Sequence, residues 1–198
     1  MPSDATATER MAARLVQPGL SLREVEDTDG PALTALIAAA YDEFACGPMD
    51  PDGFDADLAR PATHAQRRGR SWWVVTADAD ASVVASIRHA PLVVDARGRH
   101  VELQRLYLAP RARGVGLAHA LIEGVAEEAR RLGAERLEAW SDTRLVRAHA
   151  RYLSMGFTAA PDTRELHDPA QTTEVRFELD LDHGPATTVS AAEPDERG

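Results

Sequence analysis

Apolar and polar positions along the chain follow two different periods, which predicts a mixed α and β fold. Leu20, Leu22 and Val25 predict a short first strand. Asp27, Thr28 and Asp29 offer helix caps, and Pro31 suits a first helical turn. Residues 32–44 (ALTALIAAAYDEF) then read as a helix by propensity. A loop over 47–53 and a short helix over 55–60 follow. The apolar runs 72–76 (WWVVT) and 82–89 (SVVASIRH) flank a turn at 77–80 and predict a hairpin, which residues 92–94 extend.

The stretch 101–108 (VELQRLYL) is a strand whose alternation breaks. Leu103 shares a face with Arg105 and Tyr107, whereas Leu106 and Leu108 fall on the other. Such a phase break predicts a β-bulge. From 116 to 132 the period is helical, with Leu117, Leu121, Val125, Ala129 and Leu132 on one stripe and Gly133 as the stop. A strand over 135–141, a helix over 144–155 closed by Gly156, and a cleanly alternating strand over 174–181 complete the pattern. Residues 1–19 and 182–198 show no periodicity and read as disordered tails around one folded unit, 20–181.

Composition removes several kinds of chemistry. All 22 basic residues are Arg, so neither a lysine Schiff base nor a Walker-type phosphate loop is available. The net charge of −10 argues against a nucleic-acid binder. Cys46 is the single cysteine, which excludes an internal disulfide and a cysteine zinc site. No spaced His, Asp or Glu set forms a metal site, so no metal is expected. The N-terminus lacks the apolar stretch of a secretory signal, and no apolar run spans a bilayer. A cytoplasmic chain without membrane contact is the expectation.

One loop carries candidate chemistry. Arg113, Gly114, Val115, Gly116, Leu117 and Ala118 lie between a strand and a helix. The first N–H groups of that helix have no internal partner, and with the helix dipole they make a site for a phosphate or diphosphate. Glycines admit the anion to the backbone, and Arg113 adds a positive charge. A tight turn with no ligand satisfies the same pattern. A dinucleotide fingerprint needs a third spaced glycine, which is missing here.

In this stretch the chain resembles the GNAT superfamily of N-acetyltransferases. That signature, V-x-P-x-x-R-G-x-G-x-G/A, is matched by Leu108, Pro110, Arg113, Gly114, Gly116 and Ala118. A frame shifted to Arg111 also fits; the Pro110 spacing and Ala120-Leu121-Ile122 favour Arg113. A second signature, A-x-x-x-Y-x-x-x-G-F, is matched by Ala148, Tyr152, Gly156 and Phe157, while Leu145 stands where many members have Asn. The resemblance implies a GNAT-like α+β fold: a central, mostly antiparallel twisted sheet of six to seven strands flanked by about four helices.

It also implies acetyl-CoA as acyl donor and an amine of a small molecule or peptide as acceptor, with a homodimer as a common assembly. The backbone of Gly114, Val115, Gly116, Leu117 and Ala118 would hold the diphosphate, with Arg113 and His119 near a CoA phosphate. Leu106, Tyr107 and Leu108 would pair through their main chain with the pantetheine arm, in a gap opened by the bulge. Tyr152 stands at the position of the usual general acid; its spacing from Ala148 and Met155 equally fits a packed core aromatic. Glu102 is the candidate base, acting through water, with His149 an alternative titrating group. Trp72 and Trp73 read as core strand, with one of them a candidate for the acceptor pocket. Residues 41–70, 91–100 and 166–173 are the expected walls of that pocket. The first of these carries Asp42, Glu43, Asp50, Asp52, Asp55 and Asp57, which either attract a cationic amine or are simply solvated. A catalytically silent acyl-CoA-binding regulatory module is the alternative function.

Overall fold

The computed structural model describes residues 5–182. Helix α1 (Ala7–Ala13) precedes strand β1 (Leu20–Glu24), helix α2 (Gly30–Phe44) and the short helix α3 (Pro61–Arg67). Strands β2 (Ser71–Ala77), β3 (Val83–His89), β4 (Val93–Asp95) and β5 (Gly98–Leu108) follow. Helix α4 (Leu117–Arg131), strand β6 (Arg136–Asp142), helix α5 (Val146–Ser154) and strands β7 (Thr158–Glu165) and β8 (Thr173–Asp180) complete the described chain.

The strands form one sheet in the order β1-β2-β3-β5-β6-β8-β7, with β4 paired to β5 beside the end of β3. Every pairing is antiparallel except β5 with β6. The eight strands and five α-helices exceed the expected six to seven and four. Strand β7 escapes a sequence reading because it is polar, mostly exposed and contains Pro161. It lies at the sheet edge, where a missing N–H is tolerated, and its register with β8 slips between Ala159 and Thr163, around that proline.

The two sheet faces carry separate cores. Leu117, Leu121, Ile122 and Val125 of α4 pack with Met11, Trp73, Leu137 and Phe177 on one face. Leu33 and Ile37 of α2 pack with Leu58, Ala65, Trp72 and Val74 on the other. Trp72 and Trp73 are both buried, one on each face; Nε1 of Trp72 donates to Ser86 (2.9 Å) and that of Trp73 to Thr8 (3.0 Å).

The N-terminal segment departs from the expected tail. Thr6 and Glu9 form a capping box, Met11 is 1% exposed, and Arg10 pairs with Glu128 of α4 (2.7 Å). A seven-residue helix anchored by one buried side chain is too short to display a period in the sequence. Of the expected C-terminal tail, residues 183–198 lie outside the described residues.

Candidate active site

The site begins with a break in the sheet. β5 and β6 pair only from His100↔Arg136 to Leu103↔Ala139. Beyond that point β5 stays with β3, through Tyr107↔Ser86 and Leu108↔Ala85, while β6 stays with β8. Residues 106–108 therefore have a strand on one edge and a gap on the other. The cause lies at Arg105, whose φ of 52° is strained for a residue with a side chain. The β3–β5 register slips alongside it, between Ser86 and Arg88. Arg105 is pinned by its side chain, which pairs with Asp55 (2.8 Å) and Asp57 (2.6 Å) and donates to the carbonyl of Phe54 (2.7 Å). The bulge predicted from the phase break is present.

A cleft of about 640 Å³ opens at the gap, lined among others by Glu102, Tyr107, Trp140, Tyr152 and Glu174. Of the three expected acceptor walls, residues 41–70 and 166–173 line it. The connection 91–100 contributes no lining residue, because residues 93–95 fold back as β4 against β5. Neither Trp72 nor Trp73 reaches the cleft.

Next to the gap, a single 3-10 turn (Pro110–Ala112) leads into the glycine loop. Gly114 and Gly116 have φ of 80° and 82°. A Cβ on Gly114 would meet no atom within 4 Å, and one on Gly116 only Nε2 of Gln17 at 3.6 Å. Glycine is needed here for its backbone angle, and the space outside the loop is open. Gly116 caps α4 without a side-chain hydrogen bond. Among the described residues, no carbonyl accepts from the N–H groups of residues 114–119. Leu117 is buried under them, and Nε2 of Gln17 donates to the carbonyl of Val115 (3.0 Å).

Arg113 turns away from this loop. Its Nε donates to the Leu108 carbonyl (3.0 Å) and its guanidinium pairs with Glu43 (2.7 Å). It thus ties the end of β5 to the last turn of α2. His119 is exposed on α4, 3.2 Å from the Glu123 carboxylate.

Tyr152, on α5, is 5% exposed and packs between the rings of Phe157 (5.2 Å) and Phe177 (5.4 Å). The ring packs in the core, as its spacing from Ala148 and Met155 predicts, and the residue also lines the cleft. Burial pushes its phenol well above the usual range, so it stays protonated at neutral pH. Glu102, on β5, accepts from Arg164 (3.2 Å). Glu174, on β8, shares the same arginine (2.6 Å), and burial, with the Glu102 charge, raises its pKa. Arg164 lies 4.5 Å over the Trp140 ring. Glu174 went unnoticed in the sequence because regular alternation gave it an ordinary place on a strand face. His149 contacts the Asp142 carbonyl through Nε2 (3.0 Å), packs on Phe177, has its pKa lowered by burial and does not line the cleft.

The acidic loop also looks different in three dimensions. Asp55 and Asp57 are buried, and Asp57 pairs with Arg88 as well as Arg105. Burial raises the Asp57 pKa, but Arg105 and Arg88 outweigh it and hold the carboxyl below the usual range. Cys46 is buried, with its thiol pushed up to about 11 by burial, as for a small core side chain.

A sheet split beside an uncapped, glycine-led helix N-terminus defines the acetyltransferase class that the sequence motifs resemble. Residues 34–157 match the model of the acetyltransferase (GNAT) family, and the chain belongs to it. Among solved structures, a GNAT-family acetyltransferase of Staphylococcus aureus Mu50 is 14% identical, with TM-score 0.66 over 82% of this chain and 99% of that one. The yncA protein of Salmonella typhimurium, solved with its cofactor acetyl-CoA, is 20% identical, with TM-score 0.60 over 87% and 99%. A ribosomal-protein-alanine N-acetyltransferase of Brucella melitensis is 22% identical, with TM-score 0.58 over 80% and 98%. At these identities the likeness concerns the fold. No curated protein matches the chain. Among the described residues, no helix is long and apolar enough to cross a membrane.

Proposed function

We propose that this chain is an acetyl-CoA-dependent N-acetyltransferase that moves an acetyl group directly to a primary amine. The observation that carries the reading is the gap between β5 and β6, with the free amides of residues 114–119 at one end and Tyr152 and Glu102 in the adjoining cleft. The amides of Gly114, Val115, Gly116, Leu117 and Ala118 hold the diphosphate, aided by the helix dipole. The open edge of Leu106, Tyr107 and Leu108 pairs with the pantetheine arm, and a strand amide facing the gap donates to the thioester carbonyl as charge develops. The related Salmonella fold solved with acetyl-CoA supports this donor.

Transfer requires loss of a proton from the amine and gain of one by the leaving thiolate. A free alkylamine has a pKa of about 10, so it arrives protonated. Glu102, through water, takes that proton, and Glu174 across Arg164 offers a second carboxylate of raised pKa. Tyr152, kept protonated by burial, donates to the sulfur. Tyr152→Phe removes the donor but keeps the ring packing. It lowers kcat by about 100-fold or more, read as CoA release with an amine panel, while acetyl-CoA binding persists in a thermal-shift titration. Acetyl-CoA binding by the wild type without turnover of any amine would contradict this reading and favour a silent acyl-CoA-binding module.

A further inference from the structure

The cleft is charged differently at its two ends. At the end formed by α3 and the start of β2 it is lined by His64, Arg68, Arg70, Arg88 and Arg105. Arg88 and Arg105 are neutralised by Asp57 and Asp55. Asp50 turns its carboxylate onto the N–H of Phe54 (3.1 Å). Among the described residues, Arg68 and Arg70 have no carboxylate partner, so this end holds excess positive charge. Burial and the nearby Arg70, Arg88 and Arg68 hold His64 below its ordinary pKa, against the pull of Asp57.

The opposite end carries excess negative charge. Glu102 and Glu174 share the single Arg164. Asp142 pairs with Arg144 (2.7 Å), and Asp168 accepts from the N–H (2.8 Å) and hydroxyl (2.7 Å) of Thr172. The distance between the ends follows from the sheet. Ser71 lies opposite His89, so Arg70 continues level with Ala90, whose N–H donates to the Glu102 carbonyl (2.9 Å). Arg70 and Glu102 therefore stand two strand spacings apart, about 9.5 Å between backbones. Their side chains reach inward over the same cleft, which leaves room for a small molecule rather than a long one.

From this polarity we infer that the acceptor is a small primary amine that also carries an anionic group, a carboxylate or a phospho group. The inference rests on the acetyltransferase reading of the same site. The ammonium is drawn to the Glu102–Glu174 end, where it loses its proton, and the anion is held by Arg68 and Arg70. Guanidinium groups suit both anions, because their paired N–H donors match carboxylate and phosphate oxygens. Of the six acidic residues in the 41–57 segment, only Asp50, Asp55 and Asp57 line the cleft; Asp55 and Asp57 are spent on Arg105 and Arg88, which leaves one carboxylate there against Arg68 and Arg70.

The test measures kcat/KM by CoA release with acetyl-CoA and a paired panel. The common L-amino acids, β-alanine and 2-aminoethylphosphonate are each compared with a neutral carboxamide or amino alcohol, alongside spermidine and a short neutral peptide. The wild type is expected to favour the best anionic amine over its neutral counterpart by tenfold or more. In the variant carrying Arg68→Gln and Arg70→Gln that ratio falls to about one, mainly through KM, and Arg70→Lys retains most of it. An acetyl-CoA thermal shift certifies that each variant is folded. Arg68→Gln alone, at an exposed position, carries the comparison if the double variant is not. A wild-type ratio near one, a preference for spermidine or the peptide, or a ratio unchanged in the folded variants overturns the inference while leaving acetyl transfer intact. No CoA release with any amine overturns the acetyltransferase reading, and this inference with it.

Discussion

Arg105 shows how one strained residue is held for the benefit of a site. A left-handed backbone on a side-chain-bearing residue costs about 1–3 kcal/mol, and it persists only where the surroundings over-determine it. Asp55, Asp57 and the Phe54 carbonyl do so here, and Asp57 at the same time neutralises Arg88. Asp57→Asn removes the shared counter-charge and leaves two buried guanidiniums with one carboxylate between them. It is expected to lower stability by about 3–5 kcal/mol, measured by urea unfolding at neutral pH. The sign with pH follows from the depressed Asp57 pKa. Its contribution is complete above the ordinary aspartate pKa and disappears as pH falls through the lower folded value. The stability gap between wild type and Asp57→Asn therefore narrows on acidification below about pH 4. A constant gap over that range would show that Asp57 is not the charged partner of Arg88 and Arg105.

Among the elements, β5 and α4 were the most legible. The broken alternation at Leu103, Arg105 and Leu106 announced the bulge, and the glycines at 114 and 116 announced the helix start, because both signals are local. The partners that hold the bulge were not legible: Asp55 and Asp57 meet Arg105 and Arg88 across sequence gaps of 31 to 50 residues, and in a line of text they are merely an acidic loop. The same is true of α1, which shows its purpose only once Met11 meets α4, and of Glu174, which gains meaning beside Glu102 and Arg164. Gly116→Glu places a carboxylate at the amides of the α4 N-terminus and forces a side chain onto a φ of 82°. In a folded variant it weakens acetyl-CoA affinity by at least tenfold, about 1.4 kcal/mol, measured by calorimetric titration. Unchanged affinity would remove the loop from the binding site.

At the scale of the whole molecule, the sheet works as a frame with one deliberate opening. Both faces are packed by helices near β2 and β3, and two neighbouring central strands part where β5 and β6 separate after Leu103 and Ala139. In the proposed reaction α4, which follows the end of β5, supplies its first amides, and α5 supplies Tyr152, which lines the cleft. The measurement that bears most directly on this arrangement is a crystal structure of the complex with acetyl-CoA. Diphosphate oxygens are expected within about 3 Å of backbone nitrogens in residues 114–119, with the pantetheine arm along residues 106–108 and the sulfur facing the Tyr152 hydroxyl. A coenzyme seated elsewhere on the molecule, with the β5–β6 gap left empty, would contradict it.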